Sequence, residues 1–151
     1  MRSARLGEAL AGIVPERLLT IRSLHTDAEA LRIRYEVSPG YPKVEGGIEV
    51  DLLSMYEWRV SAVDDVGTTY SPGGGATGRR RGVKSLSPPV PADASRVELL
   101  IQPAIADRPS FTIRVEAVAI QRVDAVAAHG EMPGEVIIDQ EPQNDGGFLG
   151  A

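Results

Sequence analysis

Three consecutive arginines, Arg79, Arg80 and Arg81, follow the glycine-rich run Gly73-Gly74-Gly75-Ala76-Thr77-Gly78. Guanidinium groups set this close together can grip phosphate, nucleic acid or an acidic protein surface. The run also matches G-x-G-x-x-G, but the phosphate-binding form needs a strand before it and a helix after it, so that helix amides meet the pyrophosphate. Here Pro72 precedes it, and Arg79 to Gly82 follow without helical periodicity, so the spacing predicts a mobile loop. A nucleic-acid binder adds a wider basic face and stacking aromatics. This chain has a net charge of −5 and 5% aromatic residues, with none in the loop. The arginines therefore read either as a solvated loop or as a grip on an acidic protein partner, the tail of a neighbouring copy being one candidate. No nucleic acid is expected.

Other residues with possible chemistry are few. Asp64 and Asp65 could bind calcium at the end of a sheet, but no alternating Asp/Asn ligand series surrounds them, so they read as turn formers. His25 and His129 have no Ser or carboxylate at a motif spacing, and two histidines do not make a multi-histidine zinc site. Cysteine is absent, which excludes disulfides, thiolate metal sites and cysteine nucleophiles. No catalytic, cofactor or metal residue is assigned, and the chain reads as a non-enzyme; an enzyme with a scattered site ranks last.

Charge is distributed unevenly. From residue 124 onward the acids are Asp124, Glu131, Glu135, Asp139, Glu141 and Asp145, with no Lys or Arg, whereas residues 1–123 are close to neutral. Within this acidic tail Val136, Ile137 and Ile138 form a β-prone island, and Phe148 and Leu149 lie between glycines. A strand near 135–139 could close the chain's own sandwich or add to an exposed edge on another subunit. Residues 141–151 read as disorder or as a docking peptide.

The elements that must position these residues are strands. Leu31, Ile33, Tyr35 and Val37 alternate with Arg32, Arg34 and Glu36, the period of a half-buried antiparallel strand. Similar runs occur at 16–25 (Leu19, Ile21, Leu24), at Ile48, Val50 and Leu52, at Trp58, Val60 and Ala62, at Val97, Leu99 and Ile101, and at Phe111, Ile113 and Val115. Thr68 to Tyr70 reads as a returning β segment, and Val83 to Leu86 as a short, weak one. The alternation slips at Ala117 and Val118, consistent with a bulge or strand end, and 118–128 fits strand or helix. Near the N-terminus Leu6, Ala9, Leu10, Ile13 and Val14 recur at helical spacing behind Ser3, predicting a short helix or arm that Pro15 ends. With 16 Gly and 11 Pro marking turns, this predicts an all-β, immunoglobulin-like antiparallel sandwich of about seven or eight strands over 16–123, between an N-terminal arm (1–15) and the acidic tail (124–151). The N-terminal apolar run is broken by Glu8 and stops at Pro15, and no run approaches the ~20 apolar residues of a membrane span. A soluble, cytoplasmic protein is expected.

Trp58-x-Val60, the Asp64 to Gly67 turn, Tyr70, the segment Pro88-Pro89-Val90-Pro91 and Val97-x-Leu99-x-Ile101 together resemble bacterial telokin-like and related immunoglobulin-like accessory domains, over residues 16–118. The resemblance implies a binding or assembly role and no catalytic residues. The expected function is a structural or adaptor subunit of a larger assembly that works through protein contacts, with the terminal arms as contact elements and with partner-binding residues Arg79, Arg80, Arg81, Val136, Ile137, Ile138, Phe148 and Leu149. A carbohydrate- or peptide-binding module using Tyr41, Tyr56 and Tyr70 is the alternative.

Overall fold

Alternation of apolar and polar side chains along short segments creates strands with one face to bury, and two sheets bury those faces in common. The structure, a computed structural model, describes residues 1–41, 57–103 and 107–123. In chain order its strands are β1 (Arg2–Ala4), β2 (Ala9–Ala11), β3 (Leu18–Thr26), β4 (Leu31–Ser38), β5 (Arg59–Asp64), β6 (Ser71–Pro72), β7 (Ala76–Thr77), β8 (Arg81–Ser87), β9 (Arg96–Gln102), β10 (Phe111–Glu116) and β11 (Gln121–Arg122). Among the described residues one 3-10 turn occurs, at Ala117–Ala119. The segment at Ile48, Val50 and Leu52 lies outside the described residues.

One sheet has four strands in the order β1-β10-β9-β5. The other has seven, in the order β11-β3-β4-β8-β6, with β2 also on β3 and β7 also on β8. Pairing is antiparallel except for β1 with β10 and β11 with β3. Leu31, Ile33, Tyr35 and Val37 of β4 and Leu19, Ile21 and Leu24 of β3 share one apolar cluster with Val97, Leu99 and Ile101 of β9 and Phe111, Ile113 and Val115 of β10. Each such aliphatic side chain contributes roughly 1.5–3 kcal/mol by leaving water. In β3 the register slips between Ile21 and Ser23, so Ile21 and Leu24 both face inward although they are three residues apart.

The N-terminal segment departs from the helix predicted by its spacing. It forms two short strands instead, and it crosses from one sheet to the other: β1 lies along β10, and β2 lies along Leu18 to Thr20 of β3. Gly7 and Gly12 have φ of 86° and 89°, a left-handed conformation incompatible with a right-handed helix. Turns at those glycines bring Leu10, Ile13 and Val14 into the core. At the other end of the domain the slip after Glu116 is the 3-10 turn, and the chain then continues as β11 beside His25 and Thr26. Arg122 fixes that end by donating to the carbonyls of Val90 (3.0 Å) and Pro91 (2.9 Å). The buried Thr26 hydroxyl accepts from Val90 N (3.0 Å) and bonds the Ala30 carbonyl (3.3 Å), so its burial is compensated.

If the first 15 residues belong to the core, Leu10→Ala costs about 2–4 kcal/mol in urea unfolding, whereas Leu18→Ala on the exposed face stays within about 0.5 kcal/mol. Equal, small effects would contradict this packing.

Candidate interaction surface

The three arginines stand on a hairpin. β7 pairs with β8, and Gly78 N donates to the Arg81 carbonyl (2.8 Å), which leaves Arg79 and Arg80 at the tip. The tip is also tied to the end of β4: Val37 N donates to the Arg80 carbonyl and Tyr41 N to the Arg79 carbonyl, both at 2.7 Å. Arg79 Nε donates to the Tyr41 carbonyl at 3.1 Å. The segment predicted as a mobile loop is therefore joined by backbone hydrogen bonds to β4 and β8, while the three arginine side chains remain exposed.

The glycines serve close backbone packing. A Cβ on Gly75 would lie 2.2 Å from the Val83 carbonyl oxygen, and one on Gly82 would lie 2.3 Å from the Tyr35 hydroxyl and 2.7 Å from the Ala76 carbonyl. No helix follows residues 73–78; β7 and then β8 do. The G-x-G-x-x-G match thus marks a segment that lies close along one edge of β8, and its amides are not at a helix N-terminus.

The outward face of β3, β4 and β8 extends the basic surface. Glu36 lies between two arginines, with Arg22 Nε at 3.8 Å and Arg81 Nε at 3.7 Å. Arg32 is neutralised by Asp27 (2.9 Å) and Glu29 (3.3 Å). Among the described residues Arg34, Arg79 and Arg80 make no salt bridge; Arg22, Arg34 and Arg81 stand with Glu36 on the outward face, and Arg79 and Arg80 stand at the hairpin tip beside it. His25 borders the face; burial and then the Arg34 charge push its pKa down, against an upward pull from Asp27. On the inward face of β8, Lys84 sits 4.7 Å from the Trp58 ring centroid, and Tyr35 meets the same ring edge-on at 4.9 Å.

Arg22, Arg34, Glu36 and Lys84 were not among the residues singled out from sequence. The alternation at 31–37 places Arg34 and Glu36 on the wet face, but only strand pairing puts Glu36 opposite Arg81 and Arg34 opposite Val83. Val136, Ile137, Ile138, Phe148, Leu149 and His129 lie outside the described residues, as does Tyr56.

Asp64 and Asp65 hold the chain's own turns. Asp64 accepts from Val66 N and Thr68 N at 3.0 Å and from the Tyr70 hydroxyl at 2.8 Å. Burial pushes its pKa up, but the hydrogen bonds outweigh this and leave it below the usual carboxylate range. Asp65 accepts from the Ser95 hydroxyl, Ser95 N (2.9 Å) and Arg96 N (3.3 Å), and these bonds, the hydroxyl's first, hold its pKa at about 2. A separate shallow depression of about 220 Å³ on the four-stranded sheet is lined by Met1, Val63, Leu100, Ser61, Glu98 and Thr112.

Gly75→Ala should cost about 1–3 kcal/mol in urea unfolding, since the methyl group meets a backbone carbonyl that has no rotamer to move into. Gly74→Ala, with nothing within 4 Å, should stay within about 0.5 kcal/mol. Equal costs would refute the close approach of this segment to β8. The chain matches no protein-family model, no curated protein and no solved structure.

Proposed function

We propose that this chain is a non-enzymatic β-sandwich of immunoglobulin-like architecture, a structural or adaptor subunit that works through protein–protein contacts. Its contact elements are the arginine hairpin and the acidic tail, with Val136, Ile137, Ile138, Phe148 and Leu149 as the tail's apolar anchors. The observation that carries this reading is the hairpin. Arg79, Arg80 and Arg81 project into solvent from a backbone hydrogen-bonded to β4, and among the described residues the one carboxylate paired with the group is Glu36, which meets Arg81 and is shared with Arg22. A backbone held in place lowers the ordering cost that binding would otherwise impose, so charge exposed on it suits recognition of an acidic protein surface.

The alternative, a carbohydrate or peptide module, draws on Tyr41, Tyr56 and Tyr70, and the two of these among the described residues are engaged elsewhere. Tyr41 is buried, and the Tyr70 hydroxyl donates to Asp64.

The test is recovery of the tagged full chain from its source cells. The native chain is expected in a complex of defined mass, with another protein or with copies of itself. Substitution of Arg79, Arg80 and Arg81 by Ser should dissociate that complex while leaving the melting temperature unchanged. A native chain that runs as a bare monomer, or a variant that keeps the complex, would overturn the assignment. A melting temperature that rises with a sugar but with no protein would favour the alternative.

A further inference from the structure

We propose that Glu36 holds the place of a partner's carboxylate: the gap between Arg22 and Arg81 is a carboxylate-recognition site, and an acidic protein surface binds there by displacing Glu36. The inference rests on reading the arginine face as a contact surface, and it names the residue that sets how tightly that face binds.

Geometry is the first argument, because the two acidic groups on this side of the seven-stranded sheet are held differently. Arg32 is saturated: its Nε donates to Asp27 at 2.9 Å, its Nη1 to the Ser85 hydroxyl at 3.0 Å and its Nη2 to Glu29 at 3.3 Å. Asp27 also accepts from Glu29 N (2.8 Å) and Ala30 N (2.9 Å), so its carboxylate is part of the turn between β3 and β4. The Glu36 carboxylate accepts no hydrogen bond among the described residues. Its Oε1 lies 3.8 Å from Arg22 Nε, and its Oε2 lies 3.7 Å from Arg81 Nε. A charge-assisted hydrogen bond to a guanidinium is about 2.7–2.9 Å long, and the strongest are bidentate. Each Glu36 oxygen therefore has attraction without a hydrogen bond, and the guanidinium forks of Arg22 and Arg81 stay open.

Surroundings are the second argument. Glu36 is flanked by Thr20 of β3 and Arg81 of β8, and Arg22 stands at the register slip of β3. The Arg22, Arg81 and Glu36 side chains are 54%, 77% and 42% exposed, so water screens their attraction and little is lost when Glu36 swings away. A carboxylate arriving on a protein surface excludes that water and closes on the open forks. Arg34, the next outward residue of β4, lies about 7 Å along the strand and takes a further acid. The described aromatic side chains all belong to the core or pack against it, so this face has no stacking platform for bases or sugars. Tethered Glu36 competes at all times, and a surface must bring several acids to displace it.

The test is binding of a fluorescent hexaglutamate peptide to the full chain at low salt, followed by anisotropy. Glu36→Gln should tighten binding about fivefold, whereas Glu29→Gln, which removes the same charge from the same side, should stay within about twofold. The gain should vanish in the Arg22→Ser/Arg81→Ser chain, and melting temperatures should match the native one throughout. Equal gains from Glu36→Gln and Glu29→Gln would mean a general charge effect and overturn the proposal. So would failure of both the native and the Glu36→Gln chains to bind, or tighter binding of a single-stranded oligonucleotide of equal charge. Binding that is lost when Arg79, Arg80 and Arg81 become Ser, yet is indifferent to Glu36→Gln, keeps the contact surface and removes the carboxylate site.

Discussion

Strand β8 has to accept backbone neighbours on both edges, and much of the seven-stranded sheet depends on that crowding. β4 runs along one edge, and β6 and β7 run along the other. The space is so limited that a side chain at Gly75 would meet the Val83 carbonyl and one at Gly82 would meet the Tyr35 hydroxyl. Glycine at these two positions lets the ladder extend beyond β8, and the hydrogen bonds that follow bring the β7–β8 turn against the end of β4. Without that approach the arginines would sit on a loop with no backbone hydrogen bonds to β4.

The inner and outer faces of β8 then take different work. Inward, Gly82 makes room for the Tyr35 ring, Lys84 packs over Trp58, and Leu86 enters the core. Burial lowers the Lys84 pKa, with Glu57 pulling it back up, and the Trp58 face supplies a favourable surface for the ammonium group. Outward, Arg81 joins Arg22 at Glu36, so one carboxylate is shared by two guanidinium groups at 3.7 and 3.8 Å. Exposed pairs at such distances stabilise a fold by at most about 1 kcal/mol. The arginines thus add little to stability, and their charge stays exposed to solvent.

Strands whose inward positions are all apolar were legible in the sequence. β4, β9 and β10 follow from Leu31, Ile33, Tyr35 and Val37, from Val97, Leu99 and Ile101, and from Phe111, Ile113 and Val115, because period two with one wet face admits few other readings. β8 was read too short because its inward residues are Gly82, Lys84 and Leu86; a glycine and a lysine break the apolar pattern even though their positions are internal. The N-terminus misled for a different reason. Two short strands joined by left-handed glycine turns space Leu6, Leu10, Ile13 and Val14 as a helix would, and periodicity cannot distinguish the two without weighing Gly7 and Gly12. The arginine run was visible as a motif, but the surface it belongs to was not. Arg22, Arg34 and Glu36 join it through pairing across β3, β4 and β8, and such pairing is a property of register.

The account stands on one claim: that protein contacts are made through the arginine face of the seven-stranded sheet. The most direct measurement is amide hydrogen exchange of the full chain, compared between the free protein and the complex recovered from its source. The account predicts added protection at Gly73 to Arg81 and along Arg34 to Ser38, with Ser61 to Val63 and Leu100 unchanged. Protection confined to the four-stranded sheet around Val63 and Leu100, with the hairpin exchanging as in the free chain, would contradict it.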